Sequence, residues 1–423
     1  MTSRRLSDAD LAAGRRLMAR LDAFAGFTDE PGRLTRLFLS DAHKRAALAF
    51  IGWCAEAGLE ARIDAAGNVV ARYESRTAGA PALMLGSHID TVRDAGRYDG
   101  NYGALAALAV VEALAARGER LEHAVEIVAF GDEEGVRFRS TLTGSRALAG
   151  AYEDDALDQK DSAGVRMRDA LKAFGGDPDE AGSIRARNVA AFVEAHIEQG
   201  PVLEAAGLPL GVVTAINGAT RLEVGVDGVA GHAGATPMSL RRDALTATAE
   251  MALAIEARAR READLVATVG RLEVWPGAAN VIPGHTQFSI DLRVPDDVRR
   301  AAALADLEAS IHSIAAARGV SATVGKTHEA DAFVCDPRIV AGLAQAVEAV
   351  GVEPRLLPSG AGHDTMVMGG LAPAGMLFVR CKGGISHNPL ESITPEDCAF
   401  GLAALTRFVR DFRIEQVSSS GRT

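Results

Sequence analysis

Residues 82–86 read ALMLG and run straight into Ser87-His88-Ile89-Asp90, with Asp99-Gly100 close behind. A short apolar run that ends in polar and glycine residues suits a strand covered on both faces. Residues 103–117 follow with helical spacing of apolar side chains, and 125–130 (VEIVAF) form a second run ending in Gly131-Asp132-Glu133-Glu134. Strand, helix, strand is the βαβ unit of a parallel sheet. Two further runs share the pattern. Residues 192–195 lead into His196 and then Glu198-Gln199-Gly200, and 375–380 (GMLFVR) lead into Gly383-Gly384-Ile385-Ser386-His387. Parallel strands bring their carboxyl ends to one edge, where ligands bind. The polar residues after these four runs are therefore expected to converge.

Their chemistry points to divalent cations. Imidazole and carboxylate together favour zinc, manganese or cobalt over calcium or magnesium. A lone His-x-Asp in a loop is usually structural. The alternative is that His88 binds metal through one ring nitrogen while Asp90 accepts a hydrogen bond from the other. Adjacent acids are usually solvated, but Glu133-Glu134 follows an apolar strand, where buried carboxylates need a counter-charge. One of the pair can hold a metal while the other takes a proton from activated water. Asp99 reads equally well as a turn residue before Gly100, and His196 as a satisfied core histidine. It is their joint placement at four strand ends that favours a metal centre.

The remaining chain sorts into two textures. Residues 8–25 and 41–58 are helical, short strands lie near 60–73 around a Gly67-Asn68 turn, and helices near 143–150 and 165–174 precede the run at 192. After Thr214, strands at 221–228, 265–274, 287–294 and 321–329 alternate polar and apolar residues, with alanine-rich helices at 243–261 and 298–318. Helices at 337–350 and 395–412 complete the first region, and 417–423 form a polar tail expected to fray. The predicted architecture is α/β: a mixed, largely parallel sheet flanked by helices, over 1–214 and 330–423, with an inserted α+β lid at 215–329.

Composition narrows the partners. The 423 residues are 48% hydrophobic and 24% charged, with a formal net charge of −11. No basic patch with interleaved aromatics occurs, which argues against nucleic acid. Four scattered cysteines (Cys54, Cys335, Cys381, Cys398) without a CxxC read as reduced thiols. The amphipathic amino terminus lacks the apolar core of a secretory signal, and 104–116 is too short to span a bilayer. A cytoplasmic protein without membrane partners is expected.

The motifs GSHIDTV (86–92), YDG (98–100), GDEEG (131–135), EAHIEQG (194–200) and SHNP (386–389), in this order and spacing, resemble the dinuclear-metal aminoacylase, carboxypeptidase and ureidohydrolase family across nearly the whole chain. The resemblance implies two divalent metals per subunit: Asp99 bridging them, His88 and His196 completing one site, and Glu134 and His387 the other. It implies Glu133 as general base and acid, Asp90 as the orienter of His88, and the inserted segment as a lid carrying a homodimer contact. Glu198-Gln199-Gly200 and Gly231-His232-Ala233-Gly234 are similar to the branch that cleaves ureido and carbamoyl bonds. That branch includes allantoate amidohydrolase, N-carbamoyl-L-amino acid hydrolase and β-ureidopropionase. The stretches at 91–100, 129–150, 358–366 and 378–389 look closest to the allantoate-cleaving members. The same resemblance implies His232 as oxyanion stabiliser, and Asn280 and Arg293 as holders of a substrate carboxylate. Arginine suits that task through its planar fork. Gln199, Gly362 and His363 are expected to line the substrate pocket. Hydrolysis of a linear ureido acid follows as the expected activity, with dipeptidase or deacylase action, or metal-retaining binding without turnover, as more distant alternatives.

Overall fold

The computed structural model describes residues 6–418. They form two compact units, one of residues 6–214, 335–357 and 361–418, the other of 215–334 with 358–360.

The first unit is built on one large sheet. Its strands run in the order Glu60–Ile63, Val69–Tyr73, Ala124–Phe130, Ala82–His88, Val189–Ile197, Ala374–Val379, Leu210–Ile216. The four central strands pair in parallel and the flanking ones antiparallel, so the sheet is mixed with a parallel centre. These four are the apolar runs of the sequence. Ala82–His88 and Ala374–Val379 are buried at every position, as helices on both faces require. Leu17, Leu21, Phe24, Ala46, Phe50, Leu105, Leu108, Leu343, Leu405 and Phe408 pack from the helices into a single core with the strands. Burying each large aliphatic side chain contributes roughly 1.5–3 kcal/mol.

The helices start where local chemistry supplies a cap. Ser7 and Asp10 form a capping box at Asp8–Ala25, Ser40 caps Asp41–Glu56, and Thr394 with Pro395 opens Pro395–Asp411. The expected frayed tail differs in part. Glu415–Ser418 forms a helical turn with Val417 buried, and residues 419–423 lie outside the described residues. The strands Leu210–Ile216 and Arg355–Ser359 were not expected. The first lacks alternation because both its faces are covered, and the second is short and carries Pro358.

The second unit holds a four-stranded antiparallel sheet in the order Ser321–Ala330, Gly218–Asp227, His285–Val294, Val266–Trp275. Alternate residues of the central strands (Leu222, Val224, Val226 and Phe288, Ile290, Leu292, Val294) share a core with Met251 and Ile255 of one helix and Leu307 and Ile311 of the other. This unit runs on to Val334, a few residues past the boundary read from the sequence. All four cysteines are free and buried.

Candidate metal centre

The parallel strands end in step. His88 pairs with Phe130, and His196 with Phe378, so the loops that follow start from one level of the sheet. Asp99 lies between the first of these strands and the helix Asn101–Ala115. Gly100 caps that helix at φ 63°, and a Cβ there would lie 2.4 Å from the His88 ring. Only glycine allows both the left-handed turn and this close approach.

The Asp99 carboxylate is buried, and each of its oxygens faces different partners. Oδ1 lies 3.1 Å from His196 Nε2 and 3.4 Å from His88 Nε2. Oδ2 lies 3.3 Å from His387 Nε2, which is itself 3.4 Å from Glu134 Oε2. Two groups of donors therefore share Asp99: His88 and His196 on one side, Glu134 and His387 on the other. His88 also groups with Glu133 and Glu134, its Nε2 lying 3.8 Å from Glu133 Oε2.

The donor set suits divalent cations on two grounds. His196 Nδ1 lies 2.8 Å from the Ile197 carbonyl oxygen, and His88 Nδ1 lies 3.0 Å from that of Asp90. A carbonyl only accepts, so each Nδ1 carries a proton, and Nε2 is the nitrogen turned toward Asp99, where it can offer a lone pair once a cation replaces its own proton. The Gly100 N–H points at His196 Nε2 from 3.0 Å, as a donor does toward a lone pair. The second ground is charge. Burial opposes a charge on His88, yet Glu133, Asp99 and Asp90 outweigh it and raise its pKa well above normal. The hydrogen bond to Asp99 lifts His387 to about 9. Burial, then Asp99, pushes Glu134 up to about 7, and burial with Glu134 and Asp364 raises Glu133 well above the carboxylate range. A site that draws protons this strongly is a site that calls for positive charge.

Asp90 differs from expectation in detail. Its main-chain carbonyl, not its carboxylate, holds His88; the nearer carboxylate oxygen lies 3.9 Å from Nδ1. The carboxylate accepts the N–H groups of Glu133 and Glu134 instead. Gln199 adopts φ 56°, and its Nε2 donates to Asp99 Oδ2 at 2.8 Å. Asp132 and His387 also have positive φ, at 65° and 54°. Such backbone clusters at functional sites. Gly362 is exposed, whereas His363 is buried with its ring edge against His196, centroids 4.5 Å apart. His363 thus backs a metal-ligand candidate; it does not face an open pocket.

The other candidates belong to the second unit. His232 is exposed on the short strand Gly231–His232 and accepts the Gly234 N–H on Nδ1 at 3.1 Å, which leaves a donor on Nε2. Asn280 is exposed. The Arg293 fork meets both oxygens of Asp291 (2.7 and 3.1 Å) and the Gly360 carbonyl (2.7 Å). Two residues apart on one strand, Arg293 and Asp291 share a face. Sequence reading did not foresee this neighbour.

It also passed over Glu194, Ser386, Glu391 and Asp364. Glu194 is fully buried and accepts from Ser87 and from the Thr365 hydroxyl and N–H. A glutamate inside an apolar strand one turn of the pleat before His196 was the available signal.

Two donor groups sharing one carboxylate at the strand ends suit a metal-dependent enzyme. The sequence profile of Peptidase family M20/M25/M40 matches residues 84–411, and the chain belongs to this metal-dependent family. Its relatives include an allantoate deiminase of Arabidopsis thaliana, 42% identical over 92% of this chain and 80% of that protein. An N-carbamoyl-L-amino acid amidohydrolase of Geobacillus stearothermophilus is 41% identical over 93% of this chain and 97% of that protein. The crystal structure of an amidase of the hydantoinase/carbamoylase family from Burkholderia multivorans superimposes with TM-score 0.90 at 34% identity, covering 99% of this chain and 100% of that one.

Proposed function

We propose that this chain hydrolyses a ureido bond of a linear ureido acid, with allantoate the foremost substrate. Water and allantoate would give ureidoglycine, ammonia and carbon dioxide, a step of purine catabolism suited to the cytoplasm. The observation that carries this reading is the placement of Glu133 beside the donor groups that share Asp99. The identity to allantoate deiminases supports the choice of substrate.

His88, His196 and Asp99 would hold one divalent ion, and Asp99, Glu134 and His387 the other, zinc or manganese with cobalt as a substitute. Bound there, the ions supply Lewis acidity, which lowers the pKa of water from about 16 toward about 7 and polarises a carbonyl. Glu133 takes the proton of the attacking water and returns it to the leaving nitrogen. His232, a donor through Nε2, stabilises the negative charge that develops on the ureido oxygen. Gln199 Oε1 is buried and accepts no hydrogen bond among the described residues, so it suits an N–H of the ureido group. Arg293 retains N–H groups beyond those given to Asp291 and Gly360, and with Asn280 it anchors the substrate carboxylate. The second unit acts as a lid and joins two chains into a homodimer.

Hydrolysis of N-carbamoyl-L-amino acids is the second reading, favoured by the 41% identity to the Geobacillus enzyme. Ammonia release from allantoate, N-carbamoyl-L-amino acids, N-carbamoyl-β-alanine and dipeptides, with zinc, manganese or cobalt loaded in turn, separates the two. Fastest turnover of allantoate is the expected result. Preference for a carbamoyl amino acid favours the second reading, and turnover of peptides alone overturns both.

A further inference from the structure

Glu391 lies four residues beyond His387, is buried, and is engaged on both oxygens. Its Oε1 accepts the main-chain N–H groups of Tyr98 at 2.7 Å and of Asp99 at 3.1 Å. Its Oε2 lies 2.9 Å from the Ser386 hydroxyl, which is 2.6 Å from Asp99 Oδ2. The loop before Asp99 packs tightly on this carboxylate: a Cβ on Gly96 would come within 2.2 Å of Glu391. One side chain therefore grips the Asp99 peptide directly and the Asp99 carboxylate through one hydroxyl. We infer that Glu391 and Ser386 are positioning residues for the metal centre, fixing how Asp99 presents its two oxygens. The inference rests on the reading of Asp99 as the carboxylate shared by two metal sites.

The physical argument is one of freedom. A carboxylate on a loop can turn about two side-chain bonds, and bridging requires each oxygen to aim at a different group of donors. Gln199 donates to Oδ2, and the Ser386 hydroxyl, its one proton set between Oδ2 and Glu391 Oε2, ties Oδ2 back toward the peptide that carries Asp99. Without Glu391, two buried N–H groups lose their acceptor and the Ser386 hydroxyl loses its anchor. Oδ2 faces His387, so Ser386 bears most on the donor group made with Glu134.

The test uses metal-stripped full-length protein and zinc, with competition against a chromophoric chelator for affinity and the visible spectrum of cobalt for ligand geometry. Glu391→Ala is expected to weaken zinc at both sites by about tenfold to a hundredfold, the usual cost of losing such a partner. Ser386→Ala is expected to weaken one site and alter the cobalt spectrum. Glu391→Gln keeps an oxygen for the two N–H groups and an N–H for Ser386, so it is expected to restore affinity to within about threefold of wild type. A merely structural glutamate would lower the melting temperature and leave zinc affinity and cobalt spectrum unchanged; that result overturns the inference. If Glu391→Ala does not fold, an unchanged spectrum and affinity in Ser386→Ala overturns it equally. If wild type takes up no zinc or cobalt, the metal centre itself fails and the inference falls with it. Wild-type loading with unaffected variants removes the inference alone.

Discussion

The carboxylate of Asp90 accepts the main-chain N–H of Glu133 at 3.2 Å. Its second oxygen accepts that of Glu134 at 3.3 Å, while the Asp90 carbonyl holds His88. One residue thus fixes the proposed base and two metal-ligand candidates at once. Asp90→Ala should lower zinc affinity and turnover by roughly tenfold to a hundredfold, as loss of an outer partner does. Elemental analysis after dialysis, alongside steady-state kinetics, checks both effects. Normal metal content with normal kcat would mean that Glu133 and Glu134 need no such brace.

Asp99 serves both donor groups, so its loss should damage both. Chelation of the wild type is expected to abolish activity, with zinc or manganese restoring it. Asp99→Ala should retain less than one tightly held metal per chain. Two firmly bound metals in that variant would disprove the shared role.

Glu133→Gln preserves shape and removes the proposed base. Metal content should persist while kcat drops by about two to four orders of magnitude, the span of general acid–base catalysis. Near-normal turnover would rule out Glu133 as the proton carrier.

Arg293→Lys keeps the charge and loses the fork. The kcat/KM for allantoate should fall by roughly tenfold to a hundredfold with metal content unchanged, because orientation at the reacting carbon depends on the remote anchor. The Asp291 partner adds a control: Asp291→Asn should leave the fork in place and change kcat/KM by less than Arg293→Lys does. If the second unit docks on a second chain, mixed Glu133→Gln and Arg293→Ala chains should regain part of the activity. No recovery after proven chain exchange would place Arg293 in its own chain's site or outside catalysis.

His43 offers a pH test on a group outside the metal-donor groups. Burial first, then Arg36 and Arg137, lower its pKa to about 3, from an unfolded value near 6.5. A depressed histidine pKa means the neutral form is favoured in the fold. Its contribution to stability is complete above about pH 6.5 and is lost as pH falls from there toward 3. Between pH 6 and 4, removing this group should take about 1.4 kcal/mol per pH unit from the slope of unfolding free energy. Urea unfolding of metal-stripped wild type and His43→Gln at three pH values measures the difference. Equal slopes would show that His43 is protonated in the fold.

Much of this was legible because burial on both faces forces parallel strands to be continuous apolar runs, and such runs are conspicuous. Residues 82–86 and 375–380 each mark a strand and a ligand-bearing end at once. The five metal-ligand candidates followed from polarity in the wrong place. What stayed hidden was pairwise. Nothing in the spacing of Glu391 tells that it reaches back to Tyr98 and Asp99, nor that Asp291 occupies the Arg293 fork. Asp90 was singled out correctly for its neighbourhood, but whether a carbonyl or a carboxylate orients a ring depends on loop dihedrals that sequence does not print. The strand Arg355–Ser359 was lost to its proline, although an edge strand tolerates one.

The strand Ala374–Val379 lies between Val189–Ile197 and Leu210–Ile216, two strands that are near neighbours along the chain. During synthesis both of those emerge long before their common partner. Until residue 379 leaves the ribosome, neither of those strands can make its hydrogen bonds to this partner, and strand edges left unpaired are templates for wrong pairing. The whole of the second unit is made in that interval. A stop codon between residues 217 and 373 would leave Val189–Ile197 and Leu210–Ile216 without their common partner, and unpaired strand edges of this kind favour aggregation.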